Sequence, residues 1–524
     1  MKVLLIQPPI EDFYITNQRT FPLGLLYIAS ALSINNFEVK ILDCITGINP
    51  KKIKIDDDLK YLKDYYLEDF APTRIFSDYY RFGHSIEELT EIIKSEKFDV
   101  YCISSNFTAY YKTAFELAKI IKRIYPEAIV IGGGYNAKIM FDYFLKSKYF
   151  DFIVFYEGER TLVELLKNLQ IPEKVNNIAF LKNGEILKTS VLANFDINEY
   201  PLDLKYIDTN KYRIGKNKLM TILTSRGCPY NCKFCTVNNN ISAIYQTKNI
   251  ELLKRELIAN IKKYQIQALN VEDDNFGLDE NYFLELCSFL KTEFPNIRLY
   301  FMNGLHYLNL NEQKIKALKF AGLKNLNVSI VNTNTDILMR RADFSKLEEI
   351  IKIAQNEKLN LTVYFIIGLP NQTISEIINI INFLNRHQAI IGPSIFYALP
   401  DMPLNNFIDI SNIKWTQMRM TAVGYETQYL DRLTQLTLLR FIRFINLSKM
   451  YRVLDKFDYK FENLKIETFT KFNDEQLFYI LRDLLKKFNK IYGINKIVKN
   501  KNKFIYEFYE HLQNFELPYG AVDW

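Results

Sequence analysis

Over the first 170 residues the chain alternates between short apolar runs and segments with a helical repeat. The apolar runs are of strand length, are rich in Val and Ile, and lie at 2–7, 37–43, 100–105, 128–134 and 152–156. Segments with helical periodicity stand between them, for example at 23–33, 110–124 and 161–169. Continuous apolar strands that alternate with helices indicate a parallel sheet covered on both faces. We therefore expect an α/β fold whose first domain, 1–175, is doubly wound, with a ligand crevice at the carboxyl ends of its strands. The polar and aromatic stretch 49–85 breaks the alternation and is interpreted as an insertion.

A second alternation of strands and helices follows after residue 217. Before it, Asn183-Gly184 between two alternating runs predicts a hairpin within 178–189, and we interpret 176–217 as a linker that contains this hairpin. Strand candidates then begin near residues 219, 268, 297, 325, 361 and 394. Six such βα units predict a partial (β/α)6 barrel over 218–411 rather than a complete eight-fold barrel. From residue 412 the strand pattern fades, so 412–524 is predicted to be mostly helical.

Charge, apolar runs and cysteine content indicate which compartment and which partners to expect. The 67 basic and 60 acidic residues give a net charge of +7 spread over 524 residues, whereas nucleic-acid proteins usually concentrate basic residues on one face. No apolar run reaches the ~18 residues that span a bilayer, and the amino terminus lacks the cleavage site of a secretory signal. Six cysteines are too few for a disulfide scaffold and fit a reducing compartment. We therefore expect a cytoplasmic protein without a transmembrane segment or a nucleic-acid partner.

Three of the six cysteines lie within eight residues of one another. Cys228, Cys232 and Cys235 follow the spacing i, i+4, i+7 on a predicted loop. Three thiolates at this spacing can ligate three irons of a [4Fe–4S] cluster and leave the fourth iron open. Structural zinc is the competing interpretation, but it usually takes four ligands from paired motifs, and the chain has no second CxxC. Three unligated surface cysteines are the third possibility.

The segment SRGCPYNCKFC, placed directly after the strand near 219, closely resembles the signature of the radical S-adenosylmethionine (SAM) family. The resemblance implies that the three cysteines hold a [4Fe–4S] cluster whose open iron chelates the amino and carboxylate groups of SAM. It also implies that Phe234 lies near the adenine. The partial barrel of six βα units is the core fold of the same family, so the cysteine motif and the strand pattern agree.

Two further segments extend this resemblance. Asp273 and Asp274 follow the second barrel strand, where the resemblance implies that they accept hydrogen bonds from the SAM ammonium; capping of the next helix is the alternative. Gly368 and Pro370 follow the fifth strand, in a segment that resembles one that passes under the adenine; a tight turn between strand and helix is the alternative. The end of the fourth strand departs from the family pattern. Relatives often carry Glu-Ser there, whereas this chain has Val-Asn-Thr at 331–333.

A doubly wound, Rossmann-like domain ahead of this core resembles the cobalamin-binding subclass of radical SAM enzymes. The matching positions lie mostly at the carboxyl ends of predicted strands, where glycines allow a ligand to approach the backbone closely. The residues that the resemblance assigns to cobalamin are Pro8, Pro9, Ser104, Ser105, Gly132, Gly133, Gly134, Glu157, Gly158 and Glu159. The Asp-x-His-x-x-Gly motif that supplies a histidine to cobalt in other cobalamin proteins is absent, which is usual for the subclass.

The resemblance implies a cobalamin-dependent radical SAM methyltransferase that moves a methyl group from methylcobalamin to an unactivated carbon through a 5′-deoxyadenosyl radical. Its cofactors would be a [4Fe–4S] cluster, SAM and cobalamin, its substrate a small molecule or peptide, and its reductant a flavodoxin or ferredoxin. One alternative is a radical SAM enzyme for carbon–carbon bond formation, cyclisation or rearrangement, with the first domain as a scaffold. Another is a non-catalytic iron–sulfur electron-transfer protein. The lysine-rich tract at 486–503 is interpreted as a solvated helix face; binding of an anionic substrate, binding of a peptide leader and docking of an acidic flavodoxin or ferredoxin are the alternatives.

Overall fold

The computed structural model describes residues 1–16, 19–67, 75–192, 195–237, 245–331, 342–387 and 389–451. The strands of the N-terminal part are β1 (Lys2–Gln7), β2 (Ile10–Asp12), β3 (Glu38–Asp43), β4 (Lys51–Lys52), β5 (Tyr80–Phe82), β6 (Val100–Ser104), β7 (Ile129–Gly133), β8 (Phe152–Val154), β9 (Ile178–Lys182) and β10 (Glu185–Lys188). Its helices are α1 (Leu23–Ile34), α2 (Ile86–Ser95), α3 (Tyr111–Ile124), α4 (Tyr135–Ile139), α5 (Phe141–Lys146) and α6 (Gly158–Lys167).

Seven of these strands form one sheet in the order β10-β9-β8-β7-β6-β1-β3. The five strands from β3 to β8 in this order are parallel, and apolar clusters cover both faces, which confirms the predicted doubly wound fold. The chain leaves β1 for β3 on one side and later crosses to β6 on the other side. The crevice at such a switch point opens at the carboxyl ends of the strands, here between β1 and β6.

The predicted hairpin is present as β9 and β10, but it belongs to this sheet rather than to a free linker. Asn183 and Gly184 form its turn with φ values of 53° and 83°, the left-handed conformation that a two-residue hairpin requires. β9 pairs antiparallel with β8, because the run at 178–180 is buried and completes the edge of the sheet. The insertion at 49–85 contributes β4 and β5 to a small antiparallel sheet with β2.

The second part of the chain contains the barrel. Its strands are β11 (Arg213–Ile214), β12 (Asn217–Ile222), β13 (Ser225–Arg226), β14 (Gln246–Thr247), β15 (Ala268–Val271), β16 (Arg298–Tyr300), β17 (Asn325–Ser329), β18 (Asn360–Ile367) and β19 (Ile390–Ile395). Its helices are α7 (Ile250–Tyr264), α8 (Glu280–Glu293), α9 (Glu312–Phe320), α10 (Phe344–Asn356) and α11 (Ile374–Arg386), followed by α12 (Arg432–Tyr451).

Six parallel strands, β12 and β15 to β19, confirm the predicted partial barrel. Two hydrogen-bonded groups, β12-β15-β16 and β17-β18-β19, are joined by parallel bridges from Leu299 to Leu323 and from Leu305 to Val328. The sixth strand begins at Ile390 rather than near residue 394, because the apolar residues before Gly392-Pro393 already pair with β18. As an edge strand, β19 tolerates the proline.

After β19 the chain returns to the N-terminal domain through short turns before α12 begins. Trp415 packs edge-on against Tyr111 and Tyr143, and Tyr61 donates a hydrogen bond to the Ala422 carbonyl at 2.6 Å. Residues 415–423 therefore hold the two domains together. The part of the predicted helical region after residue 451, including the basic tract, lies outside the described residues. Among those described, no helix is both long and apolar enough to cross a membrane.

Candidate active site

A cavity of about 960 Å³ lies between the carboxyl ends of the N-terminal strands and the barrel. This volume is at the upper end of the range for small-molecule and cofactor pockets. Ser104 and residues 132–134 and 156–159 line it from the N-terminal sheet, and residues 418–421 close one side. The barrel contributes Thr221 on β12, Arg226 on β13, and Glu272 and Asn303 in the loops after β15 and β16. The cavity is therefore shared by both domains.

Glycine backbone faces this cavity at two points. A Cβ atom built on Gly133 or on Gly24 would meet no atom within 4 Å, so both positions present bare backbone to open space. At the neighbouring positions 132 and 134, nearby atoms leave no room for a side chain. A Cβ on Gly132 would lie 2.7 Å from the Ile153 side chain, and Gly134 has a φ of 97° and a Cβ position 2.4 Å from Asn106 Oδ1. Of the three consecutive glycines, Gly133 is thus the one whose missing side chain leaves room for a ligand.

The two glutamates assigned to cobalamin bind an arginine of the barrel. Arg226 donates from Nη2 to Glu159 Oε1 at 2.7 Å and from Nη1 to Glu157. The guanidinium also lies 4.2 Å from the centroid of the Phe195 ring, and Arg226 is only 8% exposed. Burial raises the pKa of Glu157 to about 7, although the positive charge of Arg226 acts in the opposite direction. Glu157 and Glu159 line the cavity, but their carboxylates join the N-terminal domain to the loop that carries the cysteines.

The other residues assigned to cobalamin divide into two groups. Ser104 and Gly158 line the cavity. Pro8, Pro9 and Ser105 are buried and do not line it. Ser105 Oγ accepts a hydrogen bond from Asn136 Nδ2 at 2.8 Å, and its carbonyl accepts from the first amides of α4. These three residues are therefore buried next to the crevice without reaching its surface.

The three cysteines of the motif lie on an irregular loop after β13, and all three are half-buried. Gly227 takes a φ of 82° at the start of this loop, and the Leu404 amide donates to the Lys233 carbonyl at 2.9 Å near its end. Among the described residues, these thiols included, no three His, Cys, Asp or Glu side chains converge on a point that could hold a single metal ion.

The carboxylates after β15 hold the backbone that leads into the cysteine loop. Asp273 accepts hydrogen bonds from the Thr224 amide at 2.7 Å, from Thr224 Oγ1 at 2.5 Å and from Ser225 Oγ at 2.6 Å. Burial raises its pKa to about 6, and these hydrogen bonds oppose that rise. Asp274 Oδ2 accepts from the Gly227 amide at 3.0 Å. Both oxygens of Asp273 are thus engaged by the chain itself, while Asp274 uses one oxygen for the turn before the cysteines.

Phe234 and the segment after β18 share one apolar cluster. Phe234 packs against this cluster, and Leu369, which lies between Gly368 and Pro370, is one of its buried members. Gly368 has a φ of 92°, and a Cβ there would lie 2.5 Å from Gln435 Oε1 on α12. Its amide donates to Gln372 Oε1 at 2.7 Å. A turn and the close approach of α12 therefore account for Gly368. Pro370 continues the same turn and is half-buried.

Arg19, Glu272 and Asn303 form a polar group on the cavity wall that the sequence analysis did not find. Arg19 Nη2 lies 3.1 Å from Glu272 Oε2 and also donates to Asn303 Oδ1. This contact joins a loop of the N-terminal domain to the ends of β15 and β16. Arg19 lies outside any segment with a strand or helix pattern. The sequence signal nearest to it is the FPLG segment at 21–24.

A second group missed by sequence reasoning surrounds Arg419, which also lines the cavity. Its guanidinium lies 3.1 Å from Asp12 Oδ2, and both side chains are almost fully buried. Asp12 accepts further hydrogen bonds from Tyr110 and Thr421, each at 2.6 Å. A buried arginine paired in this way needs its partner carboxylate, because an unpaired buried charge is strongly unfavourable.

Two family models match this chain, one in each of the two parts that border the cavity. Residues 66–166 match the B12 binding domain, and residues 222–384 match the Radical SAM superfamily. The chain belongs to the cobalamin-binding radical SAM enzymes. It is 25% identical over 399 residues to Uncharacterized methyltransferase PH0819 of Pyrococcus horikoshii, covering 74% of this chain and 78% of that protein. It is 23% identical over 411 residues to the cytidylyl-2-hydroxyethylphosphonate methyltransferase of Streptomyces wedmorensis, covering 70% and 73% of the two chains.

A solved structure has the same fold. The radical SAM methyltransferase TsrM from Kitasatospora setae, described with cobalamin and a [4Fe–4S] cluster bound, aligns with a TM-score of 0.59 and 16% identity, covering 77% of this chain and 76% of that one. The cofactors of a cobalamin-binding radical SAM enzyme are a [4Fe–4S] cluster, SAM and cobalamin. The site fits them, since three thiols share one loop and the cavity beside that loop presents the bare backbone of Gly24 and Gly133.

Proposed function

We propose that this radical SAM enzyme is a methyltransferase that places a methyl group on a carbon atom of a small-molecule substrate. The observation that carries the proposal is the shared cavity, which runs from the crevice of the B12 binding domain to the mouth of the barrel. A methyl group has to pass from cobalamin to a substrate at the barrel, and both domains border this cavity; the residues assigned to SAM do not line it. The methyltransferase names of the relatives support the same function.

In this proposal each cofactor has its own set of residues. Cys228, Cys232 and Cys235 hold the cluster. SAM lies against Phe234, Asp274 and the turn that contains Gly368 and Pro370, and Asp273 serves this site by fixing the loop. The residues proposed to border cobalamin are Ser104, Gly132, Gly133, Gly134, Glu157, Gly158 and Glu159. Behind them, Pro8, Pro9 and Ser105 support the wall.

The cofactors, when bound, supply the radical and the methyl group. The protein's own residues bind and orient them and keep water out. The cavity is built for this task, because every acidic side chain on its described wall is paired with an arginine. The pairs are Glu157 and Glu159 with Arg226, Asp12 with Arg419, and Glu272 with Arg19. The arginines hold these carboxylates in fixed positions and balance their charge on the cavity wall.

We further propose that the electrons come from a flavodoxin or ferredoxin, that no nucleic acid takes part, and that the protein works in the cytoplasm. The division into 1–175, 176–217, 218–411 and 412–524 is part of the same proposal, with the hairpin β9–β10 assigned to the first sheet. Substrate selection is expected to involve the last hundred residues, which follow the barrel in the sequence.

A single-turnover experiment without substrate tests the proposal. The reduced holoenzyme is mixed with SAM that carries a labelled methyl group, and the cobalamin and nucleoside fractions are analysed. We expect label in the cobalamin fraction together with an equal amount of S-adenosylhomocysteine. Release of 5′-deoxyadenosine with no label in cobalamin would instead favour a radical SAM enzyme whose first domain is a scaffold. Absence of both products would favour an electron-transfer protein.

A further inference from the structure

A chain of three side chains leads from the protein surface to the first cysteine of the motif. Tyr230 donates from its hydroxyl to Asn309 Oδ1 at 2.9 Å, and Asn309 Nδ2 donates to Asn275 Oδ1 at 3.1 Å. Asn275 Nδ2 in turn donates to Cys228 Sγ at 3.5 Å. Asn275 is only 5% exposed, so water does not compete effectively for this contact.

The two asparagines are held in place by a buried lysine. Lys314 donates from Nζ to the Gly277 carbonyl and to the Asn309 carbonyl, each at 3.0 Å. Gly277 lies two residues after Asn275, so Lys314 ties the loop after β15 to the turn before α9. Lys314 is itself 5% exposed. Asn275 and Lys314 are therefore fixed within the packed structure, whereas Tyr230 at the outer end of the chain of side chains is 37% exposed.

The sulfur decides which end of the Asn275 amide faces Cys228. A cysteine that ligates a cluster is a thiolate, which accepts hydrogen bonds and cannot donate, so the Asn275 nitrogen faces it. The Asn275 oxygen then accepts from Asn309 Nδ2, and the Asn309 oxygen accepts from the Tyr230 hydroxyl.

We propose that Asn275 is a positioning residue that raises the reduction potential of the cluster through its N–H···S hydrogen bond to Cys228. Hydrogen bonds to the sulfurs are among the features that set the potentials of iron–sulfur clusters. One electron from an external reductant adds one negative charge to the cluster, and a donor at a ligand sulfur stabilises that charge without transferring its proton. The inference rests on the proposed function in one respect, which is that Cys228 is a cluster ligand.

The test is a potentiometric titration of the anaerobically reconstituted holoenzyme, followed by electron paramagnetic resonance of the reduced cluster. Asn275→Leu removes the donor, and Asn309→Asp keeps Asn275 but replaces the neighbouring donor with an acceptor, which favours the reversed amide. Asn360→Asp adds the same charge at the amino-terminal end of β18, whereas the cysteine loop follows the carboxyl end of the first barrel strand. We expect a lower midpoint potential in Asn275→Leu and in Asn309→Asp, and the wild-type potential in Asn360→Asp.

A second measurement reports the hydrogen bond directly. After exchange into deuterated buffer, the wild-type cluster is expected to show an exchangeable deuteron coupling by electron–nuclear double resonance that Asn275→Leu lacks. The inference would be overturned if Asn275→Leu and Asn309→Asp keep their iron and also keep the wild-type midpoint potential. That result would leave the proposed methyl transfer unaffected. If Asn275→Leu loses its cluster, Asn309→Asp decides the outcome. A wild-type protein without a cluster would overturn both this inference and the proposed function.

Discussion

Arg226 of the barrel and Glu159 of the N-terminal domain form a buried ion pair, with Arg226 Nη2 at 2.7 Å from Glu159 Oε1. Glu159 lies in the first turn of α6, and Arg226 lies two residues before Cys228. The pair therefore joins the edge of the B12 binding domain to the root of the cysteine loop. Because Glu157 binds the same guanidinium, Arg226 makes two of the ion pairs that connect the two domains.

Removal of this arginine should destabilise the protein strongly. Arg226→Met leaves Glu157 and Glu159 buried without their cation, and breaking a buried pair in this way costs about 3–5 kcal/mol. Urea denaturation followed by circular dichroism measures the loss. Arg160→Met is the matched control, because Arg160 pairs with Glu199 at 3.1 Å but is 42% exposed, and such pairs contribute less than about 1 kcal/mol. Equal losses in the two variants would show that Arg226 is not a structural link.

The pH dependence of stability should report Glu157. Its folded-state pKa of about 7 lies above the ordinary value near 4.5, so the folded protein holds this proton more tightly than the unfolded chain does. The contribution of Glu157 to the free energy of unfolding is therefore largest at low pH and is lost as the pH rises through about 7.

Glu157→Gln removes this titration. Between pH 5 and pH 8 the wild type should lose about 2–3 kcal/mol of unfolding free energy relative to the variant. Chemical denaturation at several pH values measures the difference. Parallel curves for the two proteins would contradict the raised pKa.

Substitution by leucine should have different effects at two adjacent glycines, because one faces open space and the other faces a packed side chain. Gly133→Leu places a side chain in the open cavity, so cobalamin binding should fall at least about tenfold while iron content and melting temperature change little. Gly132→Leu forces its side chain against Ile153 and should lower stability by about 1–3 kcal/mol or more through overpacking. Absorbance of bound cobalamin and thermal unfolding give the two readouts. Full cobalamin content in Gly133→Leu would place the cofactor elsewhere.

The cysteines allow a direct test of the cluster site. Cys232→Ala should abolish most of the iron and sulfide in the anaerobically purified protein, because a three-cysteine site has no spare ligand. Cys287→Ala is the control, since Cys287 is buried on α8 at 2% exposure and away from the loop. Its iron content should equal that of the wild type. Loss of iron in both variants would point to a general folding defect instead.

Most of the fold could be predicted from the sequence because its parallel strands are buried on both faces and read as continuous apolar runs. β1, β6 and β7 are of this kind. The helices α2, α4 and α5 were not predicted. α2 carried a usable signal, since Ser85 and Glu88 form a capping box at its start. α4 and α5 have only five and six residues, too few for a helical repeat to be recognised.

The sequence predicted the site only where its functional residues lie close together along the chain. The three cysteines lie within one loop and could be recognised together. The partners of Arg226 are 67 and 69 residues away, and the partner of Arg419 is Asp12, so these pairs become visible only when the domains are packed. For the same reason Asp273 was expected to face a ligand, whereas its oxygens accept hydrogen bonds from Thr224 and Ser225.

The cofactor content of the protein tests the shared cavity most directly. The chain is produced anaerobically with hydroxocobalamin supplied, and cobalamin, iron and sulfide are then quantified per chain. A cavity built for cobalamin beside a three-cysteine loop predicts roughly one cobalamin and about four irons per chain. About four irons without cobalamin would leave a radical SAM enzyme but would contradict methyl transfer through the N-terminal domain.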